Sequence, residues 1–246
     1  MSLETIINLE NVSLKFKLQK ERSPSIKEFT VKLITRKVSY SDFYALKDIN
    51  LNIKKGESIG IIGRNGAGKT TLLRVIAGIY KPTSGKVYVK GKIMPIIELG
   101  AGFDMELTGR ENIFLNGLLL GMTRKEIEKK YDEIVEFSGL KDFINSPLRT
   151  YSSGMILRLG FSVATAINPD IILLDEVFAV GDEEFRKKCI KKIHEFKEKN
   201  AILVLVSHNM NAIEDICEKA IWLESGEIKK YDIARGIIEC YLKVET

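Results

Sequence analysis

Cysteine is scarce in this chain: Cys189, Cys217 and Cys240 are odd in number and far apart. None belongs to a C-x-x-C pair, which speaks against a disulfide framework or a thiolate zinc site and for a reducing compartment. Long apolar runs are missing too. No uninterrupted stretch approaches the roughly 20 residues that a spanning helix needs, so work at a membrane would require a partner that spans it. The opening residues Met1-Ser2-Leu3-Glu4 lack the charge-then-apolar pattern of a leader, and none is expected. Nor does one sign of charge dominate. Lys+Arg 38 against Asp+Glu 33 leaves +5, too mild a bias to separate nucleic acid, an acidic membrane and chance. What remains is an ordinary globular composition, 246 residues with 45% hydrophobic and 29% charged. That suffices for one large domain with a subdomain.

Against these absences stands Gly63-Arg64-Asn65-Gly66-Ala67-Gly68-Lys69-Thr70, a G-x-x-x-x-G-K-T run. Apolar Ile59-Gly60-Ile61-Ile62 precedes it and Thr71-Leu72-Leu73-Arg74-Val75-Ile76 follows. That is the strand, turn and helix context the motif needs. A helix start offers unpaired N–H groups and a partial positive charge, so it binds phosphate. The glycines let the backbone curl around the anion. Lys69 is expected to reach the β- and γ-phosphates, and the Thr70 hydroxyl to hold Mg²⁺. All eight residues and Thr71 are therefore candidate nucleotide contacts.

The flanking pattern alternates. Strands are predicted over 6–16, around 44–53 and over 86–90, with buried strands at 171–174 and 201–206. From about 95 to 165 the pattern is helical, with capping boxes at Thr108/Glu111 and Thr123/Glu126, and a last helix from Ser152 to Asn168. Phe185, Cys189, Ile193 and Phe196 mark the buried face of a further helix. The whole reads as a doubly wound α/β sheet interrupted by a helical insert. Residues 15–37 hold eight basic residues against two acidic ones. There Ser25-Ile26-Lys27-Glu28 is a capping box, and Ile26, Phe29, Leu33 and Ile34 share a helical face. One reading is a basic amphipathic helix for an acidic lipid surface or a membrane partner; the other is a solvated loop or edge strand.

Two more stretches complete a site. Ile171–Leu174 runs straight into Asp175-Glu176, and ligands of such sheets sit beyond the carboxyl ends of strands. Asp175 is the expected partner of Thr70 in holding Mg²⁺, and Glu176 the general base or water-positioner. At the end of the next apolar strand His208, one of two histidines, stands where it can stabilise a transferring phosphoryl group. The other, His194, reads as a surface residue of a charged helix.

In this order the residues resemble the nucleotide-binding domain of an ABC transporter, over nearly the whole chain. The resemblance implies an α/β P-loop NTPase core of RecA-like type with a small antiparallel β part and an inserted all-helical subdomain. It makes one ATP-binding domain of 1–246: catalytic core at 1–94 and 166–246, helical subdomain at 95–165, basic insertion at 17–40. ATP and Mg²⁺ are the implied cofactors, and Lys69, Glu176 and His208 the implied catalytic set. A signature loop of LSGGQ type is expected where this chain reads Tyr151-Ser152-Ser153-Gly154-Met155, followed by Arg158; the serine and second glycine match. Ser152 and Gly154 at a helix start make an anion site, which in the family closes on ATP held by the other subunit. A homodimer with two sandwiched ATP is thereby implied. Asp182, six residues after Glu176, falls at the family's D-loop aspartate, in Val177-Phe178-Ala179-Val180-Gly181-Asp182. Glu98 stands at or near the family's metal-touching glutamine. A carboxylate there would repel a γ-phosphate, so a flexible joint at Gly100 and Gly102 is expected instead.

Glu98–Phe103, Leu107–Asn112, the Y-S-S-G-M signature and the basic insert before Ala45 narrow the resemblance to ATPase subunits that export O-antigen or teichoic-acid polysaccharides. Such subunits pair with an integral-membrane permease. The implied cargo is lipid-linked polysaccharide, and the implied location is peripheral, on the cytoplasmic face of the cytoplasmic membrane. Many carry a further carbohydrate-binding domain. Ending at Thr246 leaves no room for one, which fits either a short subunit or a truncated chain. The alternatives are an ATPase of another transporter class or one acting on nucleic acid or ribosomes. The interval from Lys69 to Ser152 is too short for a coiled-coil insert and one cassette is present, so no nucleic-acid partner is expected. For adenine stacking the family uses an upstream aromatic: Tyr40 by spacing to Leu46 and Lys69, or Phe16 by strand context, with Tyr40 preferred.

Overall fold

In the computed structural model, residues 4–19, 40–97, 99–176 and 182–245 are described. The expected basic helix near 25–36, Glu98, and Val177–Gly181 lie outside the described residues.

Two sheets enclose one helix. β1 (Thr5–Gln19), β2 (Tyr40–Lys54) and β4 (Ser84–Val89) form an antiparallel sheet in the order β2-β1-β4. The larger sheet has the order β5-β6-β7-β3-β8-β9. Its members are β3 (Ser58–Ile62), β5 (Ile93–Ile96), β6 (Ile171–Asp175), β7 (Ile202–Val206), β8 (Lys219–Glu224) and β9 (Glu227–Ile233). The first five strands in that order run parallel and β9 returns antiparallel. α1 (Lys69–Ile76) lies between the sheets, packing Leu72, Leu73, Val75 and Ile76 against Ile7, Leu9, Ile53 and the near face of the parallel strands.

The parallel strands are buried on both faces, which is why they read as unbroken apolar runs rather than alternating ones. Ile171 and Leu173 point toward α1, while Ile172 and Leu174 point to the opposite core. That second core holds Phe185, Cys189, Ile193 and Phe196 of α5 (Glu183–Glu198), together with α6 (Met210–Ile216) and α7 (Ala234–Glu245). Burial pushes the thiols of Cys189 and Cys217 up to about 12, so both stay protonated and inert at neutral pH.

α2 (Gly109–Leu119), α3 (Arg124–Ser138) and α4 (Ser153–Thr165) build a third core around Ile113, Ile127, Ile134, Leu159 and Val163. Both capping boxes form, and Gly139 ends α3 in left-handed backbone at φ 67. α4 serves two cores at once: Phe161 and Ala164 face the sheet, Leu159 and Val163 face the other helices. Among the described residues no helix is long and apolar enough to cross a membrane.

Several boundaries differ from the sequence reading. Strand β5 extends to Ile96, past the expected start of the helical region at 95, and its Pro95 is tolerated because β5 is an edge strand. α4 ends at Thr165, short of Asn168-Pro169. The β8–β9 hairpin was not foreseen; its two-residue turn, Ser225-Gly226, takes positive φ at both positions (50 and 80), the primed geometry that suits twisted strands. The expected joint at Gly100 and Gly102 is a turn tied down by α2. The side-chain amide of Asn116 donates to the Ala101 carbonyl at 3.0 Å. That of buried Asn112 donates to the carbonyls of Asp104, Leu107 and Thr108 and accepts from the Asp104 N–H.

Candidate nucleotide site

The turn from β3 to α1 fixes the site. Gly63 takes φ 149 with the Leu223 carbonyl so close that a Cβ would meet it at 2.1 Å. Gly68 takes φ 105 against the Ala45 carbonyl at 2.5 Å. Only glycine fits either place. The β8–β9 turn supports the loop from behind: the Gly226 N–H donates to Ala67 at 3.0 Å and the Lys47 N–H to Gly226 at 2.8 Å. Asn65, Gly66, Gly68, Lys69, Thr70 and Thr71 line a cleft of about 270 Å³, while Ala67 turns inward.

Lys69 opens α1 with its ammonium tucked into the curl, donating to the carbonyls of Gly63 at 2.7 Å and Arg64 at 3.0 Å. Burial pulls its pKa below the ordinary lysine range; the charges of Glu176 and Asp175 oppose that. The Thr70 hydroxyl donates to the Asp175 carboxylate at 2.7 Å. Burial raises the Asp175 pKa, the Thr70 bond lowers it, and neighbouring Glu176 raises it further.

Glu176 follows β6 with φ 54, left-handed backbone that a non-glycine residue rarely takes. Such strain concentrates at functional sites. Its N–H donates to the Val206 carbonyl at 3.0 Å, and its carboxylate stands 3.0 Å from His208 Nε2. The ends of β6 and β7 thus bring Asp175, Glu176 and His208 together around the loop, and all three line the cleft. Two hard oxygen donors, the Thr70 hydroxyl and the Asp175 carboxylate, form a set suited to Mg²⁺.

The other expected contacts lie elsewhere in this chain. Ser152 caps α4, its hydroxyl accepting from the Met155 N–H at 3.2 Å, and Gly154 is in the first turn beside it. Asp182 caps α5, accepting from the Phe185 N–H at 2.9 Å, and is paired with Arg158. None of the three lines the cleft. Tyr151 at the signature is buried, its hydroxyl donating to the Phe143 carbonyl at 2.6 Å beside Gly109, where a Cβ would meet that hydroxyl at 2.4 Å. Tyr151→Phe should therefore lower stability by about 1 kcal/mol, read as a lower urea midpoint.

The aromatic lining of the cleft is Phe16 and Phe43, directly paired across β1 and β2, with Ala45 beside them. Tyr40 pairs through its backbone with Gln19; its side chain lies outside the described residues. No local pattern marks Phe43, because its place depends on strand register across residues 20–39, which separate the two strands.

A cleft under a glycine-rich strand-to-helix turn, with two acidic residues at the end of β6, defines a P-loop ATPase. The sequence model of the ABC transporter family matches residues 46–179, more than half the chain. The chain belongs to that family, and its domain binds and hydrolyses ATP. It is 45% identical to an O-antigen export system ATP-binding protein RfbB of Klebsiella pneumoniae, over 97% of this chain and 98% of that one. It is 39% identical to the teichoic acids export ATP-binding protein TagH of Bacillus cereus (strain ZK / E33L), covering 96% of this chain and 42% of that one. Among solved structures, the ATP-binding cassette MJ0796, a dimer in a post-hydrolysis state bound to ADP and Pi, superimposes with a TM-score of 0.74 at 27% identity. That match covers 94% of this chain and 100% of the cassette.

Proposed function

We propose that this chain is the ATP-hydrolysing subunit of an ABC transporter that exports lipid-linked polysaccharide, of O-antigen or teichoic-acid type, across the cytoplasmic membrane. The export reading is supported by relatives named for O-antigen export that align over 98% of their own length. The hydrolytic reading is carried by one observation: Glu176, held in left-handed backbone, stands 3.0 Å from His208 beside the Thr70–Asp175 pair.

In this mechanism the loop amides from Asn65 to Thr71 and the α1 N-terminus cradle the β- and γ-phosphates. The Lys69 ammonium leaves the loop carbonyls for phosphate oxygens. Thr70 and Asp175 would hold Mg²⁺, which when bound would offset the charge on the phosphate oxygens. Glu176 orients the attacking water and accepts its proton. His208 Nε2 orients the Glu176 carboxylate, and turned from it the same N–H can stabilise the transferring phosphoryl group. Phe16 and Phe43 offer the base an apolar stacking face.

Ser152 and Gly154 sit at an exposed helix start and do not reach their own cleft; we assign them to the ATP held by a second copy, in a head-to-tail homodimer. Asp182 sits at the edge of that interface. A permease pair supplies the membrane span and holds the dimer at the cytoplasmic face. We assign the basic stretch at 17–40 to contact with that permease or with lipid headgroups. Expressed with its cognate permease in a cell lacking its own polysaccharide-export ATPase, the wild-type chain should restore surface polysaccharide, measured by immunoblot. Cells that keep the glycan inside despite an ATPase-competent chain would exclude this cargo.

A further inference from the structure

The phosphate end and the base end of the cleft belong to different sheets, so something must set the distance between them. Phe16 is on β1 of the antiparallel sheet and Lys69 starts α1 after β3. After α1 the chain turns back at Tyr80, and this turn is fastened at both sides. Its backbone N–H donates to the Arg74 carbonyl at 3.1 Å, and the Arg74 guanidinium donates to the Tyr80 hydroxyl at 3.0 Å while lying 5.5 Å from the ring centroid. On the other side the Tyr80 ring meets Phe16 edge to face, centroids 5.8 Å apart at 77°, a favoured aromatic geometry. Three residues on, Thr83 locks the same turn to β1. Its N–H donates to the Ser13 carbonyl at 2.8 Å and its hydroxyl accepts from the Lys15 N–H at 3.1 Å.

We infer that Tyr80 is a positioning residue for the nucleotide base: anchored by Arg74 on the phosphate-loop helix, it fixes the plane of Phe16 and so the reach from triphosphate to base. The inference rests on the reading of Phe16 as part of the base platform. Arg74 is suited to the anchor because its backbone is fixed in the last turn of α1 while its charge also acts on Asp175. The ends of the cleft then share one support. Tyr80 itself touches no reacting atom, and its effect passes through the Phe16 ring.

The test measures affinity for ATP and for inorganic tripolyphosphate, by calorimetry on the purified chain, in Phe16→Ala, Tyr80→Ala, Tyr80→Phe and the Phe16→Ala/Tyr80→Ala double variant. Phe16→Ala should weaken ATP by about tenfold through lost stacking and leave tripolyphosphate affinity unchanged within the error of the titration. Tyr80→Ala should weaken ATP by about fivefold with the same sparing of tripolyphosphate, and should add nothing in the Phe16→Ala background. Tyr80→Phe keeps the ring and loses the Arg74 bond, so a loss of about twofold for ATP alone is expected. This near-isosteric variant carries the test if Tyr80→Ala fails to fold. Equal weakening of both ligands, or losses that add independently to Phe16→Ala, would overturn the positioning role and leave the base platform standing. Unchanged ATP affinity in Phe16→Ala would remove the platform, and the role of Tyr80 with it.

Discussion

Glu176→Gln should keep ATP bound and lower its turnover by about a hundred- to ten-thousandfold, the usual worth of a general base. Glutamine matches glutamate in shape, so the cost of left-handed backbone at φ 54 is nearly unchanged. The side-chain oxygen can still accept from His208 at the observed 3.0 Å, so the local geometry persists. What is lost is the proton acceptor. Asp175, held by Thr70, is untouched, which is why binding survives. Single-turnover hydrolysis with radiolabelled ATP, alongside nucleotide retention on the same sample, separates the two quantities. Wild-type turnover in this variant would remove Glu176 from the role.

Lys69→Ala should weaken ATP binding by about a hundredfold. A hydrogen bond to a charged group contributes about 1.5–3 kcal/mol, and the ammonium is expected to make two to phosphate oxygens. Against this, the free protein gives up two good bonds, to Gly63 at 2.7 Å and Arg64 at 3.0 Å. The net loss on truncation is therefore about 3 kcal/mol rather than the gross sum, and 1.4 kcal/mol is tenfold in affinity. Equilibrium dialysis with labelled ATP measures it directly, and an affinity within threefold of wild type would contradict the assignment. The sign of a pH effect follows as well. Burial lowers the Lys69 pKa, so the free protein loses this charge, and affinity with it, at a lower pH than an unperturbed lysine would. The alanine variant should lack that alkaline limb.

The phosphate cradle was legible in the sequence because its chemistry is local. Gly63, Gly68, Lys69 and Thr70 must stand at fixed spacing for one turn to hold one phosphate group, so spacing alone carries the signal. Asp175 and Glu176 were legible for a related reason: a strand buried on both faces must be apolar throughout, so two carboxylates mark where it emerges. The capping boxes of α2 and α3 are likewise spelled out within four residues. Phe43, by contrast, meets the cleft only through its pairing with Phe16 across residues 20–39, which no local pattern encodes. The Ser225-Gly226 turn had a readable sequence, but its support of Ala67 joins residues far apart in the chain. Pro95 is tolerated within β5 because that strand lies at the sheet's edge.

The double duty of α4 bears on how the molecule comes apart. One side of the helix walls the sheet-side core through Phe161, and its other side walls the helical core through Leu159 and Val163. The inserted helices therefore cannot melt alone without opening a gap behind Phe161, nor can the sheet layer loosen without stripping one wall from the insert. Denaturation should be cooperative across both, so that harm done far from the cleft is felt at Ser152 through a common loss of order.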